Sequence, residues 1–324
     1  MKSAILAGVV ILTLAIGVGF VLSRAKQIMG VKVHAKDLPQ YGLIIVKGTD
    51  PDFERVVSAL YRNATTEELD AIKALAVGIK NTGSKIVVAH TIIWDCTDAT
   101  GKKKMYRIRY ANSEFFTDRD DYEKTVSGMA LDETIKPDST RLVSFIPLRH
   151  GGAAPSGGGG GGRVASASAK PDQGDTDKND SPDLSEFRAR LLTEYTDITV
   201  SIDGVFFDDG SFVGPDMSGF FDRMKAQVEA KRALRNSIAE GIKENKSEEE
   251  IFKEMQAKAD MDVKPATDEA TVTDYYDYCT KLFAGQIVLQ RKIYGHKVVE
   301  DALRLANSHQ ANLHRAEGSS TSRQ

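Results

Sequence analysis

The sequence is poor in the residues and motifs on which several large classes of function depend. Only two cysteines occur among 324 residues, Cys96 and Cys279. No histidine lies close to either in sequence, so they cannot form a thiolate zinc site alone. The formal net charge is −3, and nucleic-acid binding, which needs a basic patch, gains no support from it. No G-x-S-x-G elbow, Walker loop or H-E-x-x-H motif occurs. We therefore expect two buried free thiols, no cofactor and no nucleic-acid partner, although a disulfide stays possible.

A charge-free apolar run at the start of the chain, Ser3–Leu22, is its most informative feature. Twenty helical residues span ~30 Å, the thickness of the hydrocarbon core of a bilayer. The run is longer than the core of a cleaved signal peptide, and the one candidate cleavage site, Ser23–Ala25, has an arginine in its middle. The sequence therefore predicts an uncleaved transmembrane anchor at 1–25, with the lipid bilayer as a partner. A cleaved signal peptide and a buried globular helix are the alternatives.

The charges beside the anchor leave its orientation open. Arg24, Lys26, Lys32 and Lys36 outweigh the N-terminal flank, and the positive-inside rule then places the body in the cytoplasm. A short N-terminal anchor followed by one large folded body more often exports that body, and a β-rich body suits export. We expect a single-pass membrane protein whose bulk is periplasmic.

Changes in hydrophobic period divide the rest of the chain. Short β-branched and aromatic runs separated by Gly, Asn and Asp turns predict antiparallel strands. Helical periodicity predicts a helix that begins at Pro51, and capping boxes at Thr65–Glu68 and Ser247–Glu250 mark two more helix starts. The predicted segments are an anchor at 1–25, a basic juxtamembrane stalk at 26–40, a β-sandwich at 41–149, a flexible Gly/Ala/Ser-rich linker at 150–183, a helix and hairpin at 184–215, a helical region at 216–308 and a disordered tail at 309–324.

The predicted hairpin at 197–216 has Asp-Gly turns at Asp203-Gly204 and Asp209-Gly210. Two strands alone are marginally stable, so we expect this hairpin to complete the first sandwich across the linker. In the helical region, a stretch that starts near Thr271 is expected to continue past Gly285 and Gly295 to about Ala306.

Two acidic clusters are candidate sites. The segment at 175–186 places oxygen ligands at the spacing of a calcium loop, but the glycine required at the sixth position is Asp180 and Pro182 replaces an apolar anchor. An acidic linker is therefore favoured over a calcium site. The candidate calcium ligands are Asp175, Asp177, Asn179, Asp183 and Glu186.

The second cluster, at 203–216, gathers several carboxylates near one predicted sheet end. Turn geometry and helix capping explain these aspartates better than catalysis does. Its members are Asp203, Asp208, Asp209 and Asp216. Tyr275 and Tyr276 share a helix face with Cys279, and we assign that face to the core.

The segments IKNTGSKIVVAHTIIWDC (79–96) and SIDGVFFDDGSFVGPD (201–216) resemble uncharacterised bacterial membrane-anchored envelope proteins with an immunoglobulin-like β-sandwich. With the anchor and the helical periodicity described above, the predicted fold class is α+β: an N-terminal transmembrane helix, an antiparallel immunoglobulin-like β-sandwich and a C-terminal helical region. The resemblance itself covers about half of the chain and implies the membrane anchor and the sandwich. It implies no activity and transfers no catalytic residue.

These observations favour a non-enzymatic interaction or scaffold protein of the cell envelope, held by its anchor and bound to an unidentified protein partner. A rival hypothesis is an envelope hydrolase or ligand-binding protein whose site lies between sandwich and helices and uses the aspartates at 203–216. A third is a cytoplasm-facing membrane sensor, supported by the basic stalk.

Overall fold

The computed structural model describes residues 31–60, 66, 69, 72–73, 76–112, 115–117, 134–144, 194–267, 270–309 and 311–316. These residues form an α+β structure. Its elements are β1 (Lys32–Lys36), a 3₁₀ helix (Pro39–Tyr41), β2 (Leu43–Val46), α1 (Pro51–Leu60), β3 (Ala76–Asn81), β4 (Val87–Asp98), β5 (Lys103–Ala111), β6 (Ser139–Ser144), β7 (Tyr195–Phe207), β8 (Ser211–Val213), α2 (Phe220–Lys243), α3 (Glu248–Ala259), α4 (Val272–Tyr294), α5 (Lys297–Asn307) and β9 (His314–Arg315).

The larger sheet has the strand order β5-β4-β7-β8-β9, and β1 also pairs with β7. The pairing of β1 with β7 is parallel, as is that of β8 with β9, whereas β7 and β8 are antiparallel. The smaller sheet, β2-β3-β6, is antiparallel throughout. The predicted antiparallel immunoglobulin-like sandwich is therefore wrong. Alternation of apolar and polar residues identifies the two faces of a strand, but it does not tell whether the neighbouring strand runs parallel or antiparallel. A mixed sheet therefore cannot be recognised from this pattern.

The predicted fold class also included a transmembrane helix. Among the residues that the structure describes, no helix is both long enough and apolar enough to cross a bilayer. The predicted anchor, at 1–25, lies outside the described residues, as does the linker at 150–183.

The chain divides into two compact units, and strands β4, β5 and β7 contribute residues to both. The first unit contains the smaller sheet and α1, which packs its apolar face on that sheet through Phe53 and Val57. Pro51 at the start of α1 has the φ angle that a first helical turn requires. Trp94, the only tryptophan of the chain, is fully buried in this unit.

The second unit contains α2–α5, β8 and β9. Helix α2 packs on α4 and α5, and α3 also packs on α4. Apolar side chains from all four helices form one cluster, which includes Leu234, Phe252, Ala284 and Val299. A second cluster joins phenylalanines of β7, β8 and α2; its rings include Phe206, Phe212, Phe220 and Phe221.

Several local predictions are confirmed. Helix α1 begins at Pro51, as its helical periodicity predicts, and short strands occur in the segment at 41–149 where β-branched and aromatic runs predict them. Ser247 and Glu250 form the predicted capping box of α3, in which each side chain bonds the backbone of the other residue. The predicted capping box at Thr65–Glu68 lies outside the described residues.

Other local predictions are wrong. Asp203 and Gly204 lie within the continuous strand β7 instead of forming a turn, because β8 and the following loop cover this part of the strand. Helix α4 ends at Tyr294, where Gly295 has a φ of 61°, and α5 is a separate helix. The predicted stalk at 26–40 contains β1, and the predicted disordered tail at 309–324 contains β9. Strand pairing, which has no local sequence signal, orders Lys32–Lys36 and His314–Arg315.

Candidate strand-docking site

The predicted aspartate cluster organises the backbone between β7 and α2. The carboxylate of Asp203, which is fully buried, accepts hydrogen bonds from the amides of Met217 and Ser218 at 2.8 and 3.0 Å. The carboxylate of Asp216 accepts the amide of Phe221 at 3.2 Å, in the first turn of α2. Two carboxylates therefore hold the loop that leads into α2, since buried amides need acceptors.

The other two aspartates of the cluster stand at the turn between β7 and β8. Asp208 accepts the amide of Ile86 at 3.3 Å. Asp209 accepts the amide of Ser211 at 2.9 Å and lies 2.6 Å from the ammonium of Lys85. Burial disfavours ionisation of Asp209, but hydrogen bonds from Lys85 and Ser211 outweigh it and lower its pKa to about 2. These contacts fit turn residues that fix a hairpin.

Within the part of the chain that the structure describes, no group of three or more histidine, cysteine or acidic side chains could hold a metal ion. The candidate calcium ligands Asp175, Asp177, Asn179, Asp183 and Glu186 lie outside the described residues.

Both cysteines are free and buried. Burial raises the pKa of Cys96 to about 12 and that of Cys279 to about 11, so neither thiol ionises at neutral pH. Tyr275, on the face assigned to the core, is half-buried, and its ring lies 5.5 Å from the guanidinium of Arg223.

A short segment, Ala311–Ala316, lies along the outer side of β8, and we call it the docked segment. The amide of His314 donates to the carbonyl of Gly210 at 3.1 Å, and the amide of Ala316 donates to that of Phe212 at 2.9 Å. The pairing is parallel and includes only two residues of each strand. The receiving stretch, Gly210–Val213, is called the β8 edge below. Main-chain hydrogen bonds of this kind are how an extended peptide adds to a sheet.

The docked segment alternates between side chains that face the protein and side chains that face solvent. Ala311 is buried, and Leu313 packs against the phenylalanine cluster. Asn312 and His314, between and after them, are exposed. This period of two is that of a strand with one covered face. Side chains at alternate positions therefore contact the site.

Arg315 is the third inward side chain of the docked segment and its polar anchor. Its Nη2 donates to Asp216 Oδ2 at 2.6 Å, and Asp222 lies 3.9 Å away. Its guanidinium carbon lies 4.4 Å from the ring centre of Phe221 and 5.4 Å from that of Phe212. The side chain of Asp216 is only 3 % exposed, against 24 % for Arg315. Burial raises the pKa of Asp216, and the nearby guanidinium opposes this effect.

Gly210 allows the backbone of the docked segment to approach closely. A Cβ atom at this position would lie 2.3 Å from the carbonyl oxygen of Asn312, and the φ of Gly210 is 84°. A side chain at this position would collide with the main chain of the docked segment, and a left-handed φ strains any residue that has a Cβ, so both facts favour glycine. The β8 edge is thus shaped for a second extended backbone.

Sequence reasoning identified two members of this site and missed the others. It named Asp209-Gly210 as a turn and Asp216 as a helix cap, but it placed the docked segment in a disordered tail. The sequence did offer one signal there, the alternation of Ala311, Leu313 and Arg315 with polar residues. Three such positions are too few to stand out without knowledge of the strand that they contact.

The helical part of the second unit has a separate exposed apolar stripe. Leu282, Leu289 and Ile293 recur at helical spacing on α4 and are 41, 57 and 62 % exposed. Helices α3 and α4 also border an open groove of about 270 Å³ whose lining carries both signs of charge, including Glu249 and Lys292. Contiguous exposed apolar side chains are typical of surfaces that contact another molecule.

Comparisons with known proteins provide no relative for this chain. No protein-family model matches it, and neither a curated protein nor a solved structure matches it significantly.

Proposed function

We propose that this chain is a non-enzymatic interaction protein that works at a membrane and binds an extended protein segment at the β8 edge. The observation that carries the proposal is the docked segment, which the β8 edge contacts through main-chain hydrogen bonds and alternate side chains. This is the chemistry of peptide recognition by strand addition, in which backbone bonds contribute affinity and side-chain contacts contribute selectivity.

The roles of the aspartates support interaction over hydrolysis. Asp203 and Asp216 accept backbone amides inside the protein, and Asp209 pairs with Lys85. A catalytic carboxylate must instead reach a substrate. The exposed stripe on α4 also fits an interaction protein better than an enzyme whose site is a closed cleft.

The membrane location rests on the apolar run at 3–22. The periplasmic side rests on the large β-rich body that follows this short anchor, and the positive charges beside the anchor argue against it. Protease accessibility of a C-terminal tag, in intact and in permeabilised spheroplasts, tests both. Cleavage in intact spheroplasts is expected. Protection until permeabilisation would place the body in the cytoplasm and favour the sensor hypothesis.

A peptide-binding assay tests the proposed activity. The full-length variant Leu313→Ser/Arg315→Ser, which we call the opened variant, lacks two inward side chains of the docked segment and keeps the β8 edge. A fluorescent peptide of residues 309–318 should bind it saturably, as measured by anisotropy. The matched control Asn312→Ser/His314→Ser changes only the exposed side chains of the same segment, and it should not bind the peptide. A folded opened variant that does not bind the peptide would refute the proposal.

A further inference from the structure

We propose that the β8 edge selects extended segments by an arginine at the position of Arg315, and that the docked segment is an internal competitor for partners of this kind. The inference rests on the proposed function and adds to it the chemical class of the partner and the regulation of the site. The expected partner segment has the pattern small-x-aliphatic-x-Arg.

The selection for arginine follows from the groups that surround the guanidinium. Asp216 receives one hydrogen bond at 2.6 Å, and Asp222 adds a second negative charge at 3.9 Å. Phe221 offers a ring to the planar cation at 4.4 Å. A planar guanidinium can bond a carboxylate and stack on a ring at the same time, whereas a lysine ammonium is a compact point charge. Arginine is therefore the side chain that this arrangement favours.

Two hydrogen bonds that do not depend on the docked segment also hold Asp216, the anchor carboxylate, in place. The amide of Asp216 donates to the carbonyl of Asp203 at 2.8 Å, and its Oδ1 accepts the amide of Phe221 at 3.2 Å. Neither bond involves residues 311–316. The carboxylate should therefore keep its position when the docked segment leaves, which is what a receptor for an incoming arginine requires.

The two positions before the arginine have contacts of a different kind. Ala311, four residues earlier, is 5 % exposed and packs in the phenylalanine cluster. Leu313, two residues earlier, is partly buried and packs against the same cluster. A small and then an aliphatic side chain thus fit these positions, and the exposed positions between them carry little selectivity.

The docked segment competes with partners because it is tethered beside the site. Helix α5 ends at Asn307, and only residues 308–310 separate it from Ala311. A short tether gives an effective concentration on the order of millimolar. A partner segment at micromolar concentration can then occupy the β8 edge only if it binds more tightly or if the docked segment is weakened.

The experiment measures anisotropy with full-length chains in mild detergent and with three peptides of residues 309–318. One peptide has the native sequence, and the other two have lysine or alanine in place of Arg315. The opened variant should bind the native peptide roughly tenfold or more tightly than the alanine peptide, with the lysine peptide between them. Asp216→Asn in the opened variant should remove most of this preference. The wild-type chain should not bind the native peptide at micromolar concentration.

The outcomes separate this inference from the proposed function. Equal binding of all three peptides by the opened variant overturns arginine selection and leaves strand docking in place. If the wild-type chain binds the native peptide as tightly as the opened variant does, the docked segment does not compete with partner segments, and that part of the inference is refuted. Absence of binding by a folded opened variant overturns both proposals. If the double substitution prevents folding, Arg315→Ala alone removes the anchor, and the same comparison of native and alanine peptides applies.

Discussion

Replacing Arg315 by alanine should destabilise the native state by ~3 kcal/mol at pH 8, because Asp216 then keeps a buried charge without its cation. Breaking a buried ion pair from one side costs ~3–5 kcal/mol. The lower end applies here, since Arg315 is 24 % exposed and the amide of Phe221 still bonds Asp216. Loss of the contact between the guanidinium and the Phe221 ring contributes ~0.5–1 kcal/mol of this cost.

The cost should shrink as the pH falls. Burial raises the pKa of Asp216 even in the wild type, and the guanidinium opposes that rise. The variant loses the opposing effect, so the native-state pKa of Asp216 rises further above its unfolded value. Between these two pKa values the native variant binds more protons than the unfolded chain, and its stability increases as the pH falls. We therefore expect the difference in unfolding free energy between wild type and variant to decrease from pH 8 toward pH 5.

Urea unfolding followed by circular dichroism at 222 nm, at several pH values, measures this difference. All other titrating groups are shared, so they cancel in the comparison of the two proteins. Arg304→Ala is the control, because its exposed guanidinium lies 3.9 Å from Asp301 and should contribute less than ~0.5 kcal/mol. The double variant Arg315→Ala/Asp216→Asn has no titrating carboxyl at position 216, so the extra pH dependence of the Arg315→Ala variant should disappear. A difference that stays constant with pH, or that grows on acidification, would show that Asp216 does not carry the charge.

Three further experiments, each with its own substitutions, test the packing, a helix cap and a buried cation. Gly204→Ala places a Cβ 2.4 Å from Cζ of Phe212 and should lower the stability of the native state by ~1–3 kcal/mol. Gly285→Ala, whose Cβ would have its nearest neighbour at 3.9 Å, should raise the stability by ~0.5–1 kcal/mol. Similar thermal melting of the two variants would contradict this expectation. Ser247→Ala removes the capping box of α3 and should cost ~1 kcal/mol in urea unfolding, while Ser247→Thr should cost less; equal losses would exclude a role of the hydroxyl. Burial lowers the pKa of Lys231 from 10.5 to about 8, so the native state binds fewer protons than the unfolded chain between these values. Wild-type stability relative to Lys231→Met should therefore increase from pH 8 to pH 10, and a flat difference would refute the buried charge.

Local structure was predictable where a few neighbouring residues decide it. Pro51 begins α1 because its ring fixes φ, and Ser247 begins α3 because its hydroxyl and Glu250 satisfy the first free amides. Gly295 shows the limit of such reasoning. A glycine is tolerated inside a helix, as Gly285 is in α4, or it ends one, as Gly295 does with a φ of 61°. Nothing local separates these two cases.

Strand pairing was not predictable, and the candidate site depends on it. The parallel partners of β7 and β8 are β1 and β9, which come from segments predicted as a stalk and as a disordered tail. Each is short, and its hydrogen bonds are made with residues more than a hundred positions away. Such contacts leave no periodic signal in the few residues that make them.

The sequence by itself determined the charge-free run at 3–22, the absence of common catalytic motifs, most strands and helices, and the turn at Asp209-Gly210. These depend on composition and on neighbours within one or two turns. Only the tertiary structure decided that the sheets are mixed, that Asp203 and Asp216 serve the backbone, and that Arg315 lies between the Asp216 carboxylate and the Phe221 ring. The physical reason is that the partners of a buried polar group are chosen by proximity in space, which folding establishes and local sequence does not encode.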